Sequence, residues 1–120
     1  EAKLLVKNGC KGISEGANMP TAVAGINVFQ EAGILYGPSK AANAGGVAVS
    51  GMEMSQNSAR ISWSEDELQK LLLETMQGIH DNCFHHGAGK GKDGGCDYLL
   101  GANVAGFVKV ADAMLAYGVQ

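Results

Sequence analysis

Two short apolar segments, Lys11 to Glu15 and Ile34-Leu35-Tyr36, flank a stretch with helical periodicity at Val23, Ile26 and Phe29. A strand, a helix and a second strand in that order predict a parallel βαβ unit with a right-handed crossover. Parallel sheets are normally covered on both faces and contain more than two strands. Two short strands cannot build such a sheet alone, so we expect the missing strands upstream, in a longer polypeptide of which this chain is a piece. The opening Glu1-Ala2-Lys3, in place of an initiating Met, reads as the middle of a helix and agrees with that expectation.

Local signals divide the rest. Residues 2–8 read as a helix end that Asn8-Gly9 stops. Pro20 suits the first turn of the crossover helix, and Gly33 its C′ position. From Gly46 onward the pattern is helical, with one small-to-apolar stripe at Val47, Gly51, Met54, Ser58 and Ile61. Ser64 and Glu67 have capping-box spacing and open a helix whose stripe is Leu68, Leu71, Leu72, Thr75, Ile79 and Cys83. Gly87 to Gly95 reads as a flexible surface loop. A last helix from about Asn103 carries Val104, Val108, Ala111 and Leu115, with Phe107, Val110 and Met114 beside them. So wide an apolar surface wants partners on more than one side. The expected class is α/β, a short parallel βαβ unit followed by three helices.

Composition narrows the function. Of the 120 residues 46% are hydrophobic and 18% charged, the balance of a soluble globular chain. A net charge of −3 with scattered Lys and Arg argues against nucleic acid or an anionic membrane surface as partner. The apolar stretches read as too short, and too often broken by Gly, Lys or Asn, to span a bilayer. Cys10, Cys83 and Cys96 are odd in number, which predicts reduced thiols in a cytosolic protein, and no signal peptide is expected. His80, Cys83, His85, His86 and Cys96 match no standard zinc spacing. Cys83 continues an apolar stripe and terminal His suits a helix C-terminus, so no metal is expected. Met52, Met54 and Met76 read as core packing.

Ligands of open α/β sheets bind beyond the carboxyl ends of the strands. Both polar, Gly-bearing loops follow strands here: Gly16-Ala17-Asn18 after the first and Lys40 to Gly46 after the second. In the decapeptide Ala41 to Ser50, Gly45-Gly46 opens a helix and nothing bulky shields the backbone. Free N–H groups and the helix dipole there favour an anion. If the strands are neighbours, Asn18 and Asn43 reach one crevice, and an Asn amide suits a carboxamide or ribose hydroxyl. A carboxylate accepting from Ser50 and from the N–H groups of Gly46 and Val47 would be well placed. A packing reading stands beside this one: small residues for a tight turn, asparagines bracing loops, and Ser50 capping or packing.

Three longer stretches sharpen the choice: E-G-A-N-M-P at 15–20, K-A-A-N-A-G-G-V-A-V-S-G-M-E-M-S-Q-N at 40–57, and G-A-N-V-A-G-F-V-K-V-A-D-A-M at 101–114. In the family's order and over nearly the whole chain, they resemble the C-terminal quarter of the hexameric glutamate dehydrogenases. Met19 and the Met-Glu-Met run at 52–54 resemble the NADP-dependent branch. The resemblance implies that residues 1–46 are the C-terminal part of a Rossmann-like cofactor domain. Residues 47–120 would then be helices running back to the substrate domain, with the hinge of the cleft among them. It implies reversible reductive amination of 2-oxoglutarate with ammonia to L-glutamate, with NADP rather than NAD as the expected cofactor. Asn18 matches a residue near the nicotinamide riboside and Asn43 one at the nicotinamide–substrate junction. Gly46, Val47 and Ser50 match the substrate pocket, with Ser50 helping to hold the distal carboxylate. The family's catalytic Lys and Asp, its other substrate-binding lysines and its Gly-rich pyrophosphate turn have no match here; Lys40 falls in the wrong motif. The segment is therefore expected to bind and not to catalyse, with the rest of the enzyme chain and a homohexamer as its partners. Departures from the family concentrate at 87–95. The rival reading is a free-standing binding or assembly module.

Overall fold

The computed structural model describes residues 1–118; the last two residues of the expected 47–120 unit lie outside the described residues. The order is α1 (Ala2–Lys7), β1 (Gly12–Ser14), α2 (Val23–Ala32), β2 (Leu35–Gly37), α3 (Ser39–Ala42), α4 (Ala44–Ala59), α5 (Glu65–Gly87), a 3₁₀ turn (Lys92–Gly94) and α6 (Tyr98–Tyr117). β1 and β2 pair in parallel, with Gly12 opposite Leu35, Ile13 opposite Tyr36 and Ser14 opposite Gly37. The expected βαβ unit is present, and the chain is α/β with a two-stranded sheet among the described residues.

Several elements start or stop for a local reason. Gly33 ends α2 in the left-handed conformation at φ 71°, which costs glycine nothing, and its N–H donates to the Gln30 carbonyl. Pro20 lies outside α2, correcting its expected place in the first turn: Ala22 caps the helix in extended backbone and Val23 begins it. Ser64 and Glu67 form the capping box of α5, the Ser64 N–H donating to Glu67 Oε2 at 2.7 Å and the Glu67 N–H to Ser64 Oγ at 3.3 Å. α6 starts five residues earlier than expected, because the Asp97 carboxylate accepts from the Leu100 N–H at 2.9 Å and caps it.

Two tight glycines set how α5 and α6 meet. A Cβ on Gly101 would lie 2.0 Å from the Cys83 carbonyl oxygen, and one on Gly87 would lie 2.3 Å from that of Asp97. The helices therefore cross backbone to backbone, with Cys83 buried at the seam. The α5 stripe from Leu68 to Cys83 is buried or half-buried as expected. The α4 stripe is not: Val47, Met54 and Ile61 are exposed. α4 turns a different side to α5, since Gly45 admits Leu72 and Met76 to within 3.3 and 3.4 Å of where its Cβ would sit. Met54 is accordingly a surface residue, while Met76 packs as expected.

α6 departs from the membrane reading as well. Asn103, Gly106 and Lys109 do not interrupt it, and its 20 residues are long and apolar enough, by length and composition, to cross a bilayer. A core helix of a large soluble protein has the same length and composition.

Candidate functional site

Because β1 and β2 run parallel and in register, their carboxyl ends deliver two loops to one edge of the sheet. Glu15 follows β1 directly. Its N–H donates to the Gly37 carbonyl at 3.1 Å, which extends the ladder by one rung. The side chain is only 4% exposed. Oε2 accepts from the Ser39 N–H at 3.0 Å, while Oε1 is buried with no partner at hydrogen-bond geometry. Burial alone would push the carboxyl pKa up. The neighbouring hydroxyls of Thr21 and Tyr36, with the N–H and hydroxyl of Ser39, outweigh burial and hold it below its ordinary value. Burial, then the nearby carboxylate and charge of Glu15, push the Tyr36 hydroxyl up to about 12. At neutral pH the pair is thus a carboxylate beside an intact phenol.

Two further bonds tie the loops together. Ser39 Oγ accepts from the Met19 N–H at 3.3 Å. That bond holds Met19 at φ 49°, a left-handed conformation disfavoured for a residue with a Cβ. Asn43 stands between α3 and α4 at φ −95°, ψ 3°. An Asn at a helix N-cap usually accepts from the first-turn N–H groups; here it makes no such cap. Its Nδ2 instead reaches across the crevice and donates to the Ala17 carbonyl at 3.3 Å. Asn43 is thereby placed beside the residue that precedes Asn18, and Asn18 itself is exposed.

Gly46, Val47 and Ser50 follow Asn43 by three, four and seven residues, so all four share one side of the helical run. Val47 is 73% exposed, and nothing lies within 4 Å of where a Cβ on Gly46 would sit. Ser50 Oγ donates to the Gly46 carbonyl at 3.2 Å. The hydroxyl is engaged with its own helix and has to turn to donate elsewhere. α4 begins at Ala44 rather than at Gly45-Gly46, and the Gly46 N–H, expected to be free for an anion, donates to the Asn43 carbonyl at 3.3 Å. Two cavities are lined by none of Asn18, Asn43, Gly46, Val47 and Ser50: one of about 420 Å³ between Tyr36 and Tyr98, and one of about 660 Å³ that reaches Lys40 and Ala41 from the α5–α6 side.

The structure thus joins Asn18, through Ala17, to Asn43, and lines Gly46, Val47 and Ser50 along the adjoining helix. The stretch Lys40 to Gly46, expected as loop, is mostly helical: α3 and α4 occupy it with Asn43 as the break. Sequence reasoning missed Glu15, Ser39 and Tyr36. The available signal was an acid set directly between a strand and a glycine, where a charge has little reason to be unless it is held. Of the His and Cys set, Cys83 packs at the helix seam, and His80 lies against Phe84 and Tyr98 at ring separations of 6.1 and 5.5 Å. Among the described residues no three acid, His or Cys side chains are grouped to hold a metal.

Comparison with known proteins assigns the frame. The family model for glutamate/leucine/phenylalanine/valine dehydrogenase matches residues 1–118. The NAD(P)-specific glutamate dehydrogenase of Xylanibacter ruminicola is 57% identical over 119 residues, covering 99% of this chain and 26% of that protein. The NADP-specific glutamate dehydrogenase of Escherichia coli is 53% identical over 118 residues, covering 98% and 26% respectively. The crystal structure of Plasmodium falciparum glutamate dehydrogenase superposes with a TM-score of 0.89 at 48% identity, covering 99% of this chain and 25% of that one. The chain therefore spans about a quarter of the length of the curated relatives it matches. By the family match and by these identities, the chain belongs to the glutamate/leucine/phenylalanine/valine dehydrogenase family.

Proposed function

We propose that this chain supplies the ligand-positioning edge of an enzyme that interconverts L-glutamate with 2-oxoglutarate and ammonia, using NADP(H). The observation that carries the reading is the Asn43 amide bonded to the Ala17 carbonyl, which gathers both strand-end loops and the Gly46, Val47 and Ser50 face into one crevice. Supporting it are relatives named NADP-specific or NAD(P)-specific glutamate dehydrogenases. The donor set fits a nicotinamide cofactor: Asn18 is exposed, and Asn43 spends a donor on Ala17 while its Oδ1 stays free to accept. When bound, that cofactor supplies the hydride. Asn18 and Asn43 hold and orient an uncharged amide or hydroxyl. The Gly46 N–H already donates to the Asn43 carbonyl at 3.3 Å, so a carboxylate here rests on the uncrowded surface at Gly46 and Val47 and takes its hydrogen bond from the Ser50 hydroxyl. Proton transfer belongs to the part of the enzyme outside this segment, so the chain by itself binds weakly and turns nothing over.

In this reading residues 1–46 complete a Rossmann-like cofactor domain in a cytosolic homohexamer. Residues 47–120 run back to the substrate domain, and the exposed apolar face of α6 is covered by the rest of the enzyme rather than by lipid. The test is Ser50→Ala in the full-length enzyme that carries this segment. Loss of one hydrogen bond to a charged group predicts a KM for 2-oxoglutarate raised about tenfold or more. An unchanged KM sinks the carboxylate role.

A further inference from the structure

The network behind the crevice has no role in binding as described, yet it is the most buried polar feature of the chain. Glu15 and Ser39 are 4% and 6% exposed, while Asn18 and Met19 above them are open to solvent. Glu15 takes the Ser39 N–H, and Ser39 Oγ takes the Met19 N–H. The chain of bonds runs from the end of β1, through the start of α3, and back to the loop that leaves β1. It closes a ring around the segment that carries Asn18, and the Asn43–Ala17 bond closes the ring's open side. Met19 is held in a left-handed conformation that its side chain disfavours. A strained residue inside a closed ring of hydrogen bonds indicates that the loop's position is imposed by its neighbours.

We infer that Glu15 and Ser39 are positioning residues: together they set the distance between the Asn18 loop and the Asn43 helix, and so the registration of cofactor against substrate. The inference rests on the function proposed above. Neither residue faces the crevice, so neither touches a ligand; both act through Met19 and the start of α3. The Gly46–Ser50 face lies beyond Asn43 and shares no hydrogen bond with the ring except through Asn43. Disturbing the ring should therefore degrade the reaction geometry more than the hold on the dicarboxylate. A misplacement of about 1 Å costs on the order of 100-fold in rate.

The test uses the full-length enzyme carrying this segment. Ser39→Ala removes the Met19 acceptor and buries no new charge, so it keeps the fold. Its kcat is expected to fall about tenfold with the KM for 2-oxoglutarate within about twofold of the parent. The Met19 amide should exchange with solvent about tenfold faster, as expected for a lost local hydrogen bond. Glu15→Ala should accelerate exchange at both Met19 and Ser39 and lower kcat at least as far. Glu15→Gln should restore most of both, because its amide oxygen can accept from Ser39 and its NH₂ faces the hydroxyls of Thr21 and Tyr36. An unchanged kcat in Ser39→Ala and Glu15→Ala overturns the inference. So does a rise in KM with kcat intact, or a Gln variant as slow as the Ala variant. A parent enzyme inactive on glutamate would overturn the proposed function instead, and Met19 exchange in Ser39→Ala would still decide whether the ring holds the loop.

Discussion

Around the two-stranded sheet, Phe29, Tyr36, Pro38, Ser39 and Glu15 are all buried, and side chain and backbone satisfy one another at its carboxyl end. Along α4 and α6 the opposite holds: Val47, Met54, Ile61, Phe107, Val110, Met114, Leu115 and Tyr117 are exposed, several by well over half. The two regions differ in what closes them. The sheet end is closed by short-range bonds between adjoining loops, which the chain can make by itself. α5 and α6 meet at Gly87 and Gly101, α4 packs on α5 at Gly45, and α4 and α6 keep their other faces open. A segment spanning a quarter of its relatives' length can complete a site edge without completing a core.

That contrast can be broken at its strongest contact on each side. Gly101→Ala drives a methyl into the Cys83 carbonyl, which neither backbone can yield to. It should destabilise the α5–α6 pair by about 3 kcal/mol or more, read as a lowered urea midpoint, while Phe29 and Tyr36 keep their burial. Survival of the parent midpoint would mean that the helix seam is looser than its geometry. Phe29, 2% exposed, is the anchor of the other region, and Phe29→Ala should cost about 3 kcal/mol in the same measurement.

Acidity separates the regions more finely. The Glu15 pKa is lowered in the fold, so its contribution to stability is present above the unfolded carboxylate value and is lost as pH falls through the folded one. The Tyr36 pKa is raised to about 12, so its contribution is full below the unfolded phenol value and lost as pH rises through about 12. The sheet end should therefore loosen at both extremes, seen as rising exchange at the Ser39 and Met19 amides. Glu15→Gln should flatten the acid limb; an acid limb that persists would assign it to other carboxylates. Smallest is Ser64→Ala, which removes the capping box of α5 and should cost about 1 kcal/mol with no change at the sheet end.

Legibility in the sequence followed the same division. The αL stop at Gly33, the Ser64 capping box and the α5 stripe were readable because each depends on residues within one or two turns. The meeting of the two strand-end loops was anticipated from strand order, yet the bond that joins them runs from Asn43 to Ala17, 26 residues away. Nothing in the local pattern of Ala41 to Ser50 indicated that Asn43 would leave its own helix uncapped to reach that far. Glu15 went unread for a related reason. An acid after a strand is ordinarily solvated, and only the approach of Ser39, Thr21 and Tyr36 from other elements makes burial tolerable. The α4 stripe misled in the other direction, since periodicity finds an apolar face and cannot say whether a neighbour covers it.

By itself, the sequence determined the parallel βαβ order, the Gly33 stop, the Ser64 capping box and the family. Those follow from nearest-neighbour sterics, hydrogen bonding within a few residues, and long specific motifs. Only the tertiary structure decided that Glu15 and Ser39 are buried behind the loop that carries Asn18, that Ser50 rests on its own helix, and that α6 leaves a broad apolar face open. Each of these depends on which distant groups displace water from a side chain, and displacement is a property of packing in three dimensions.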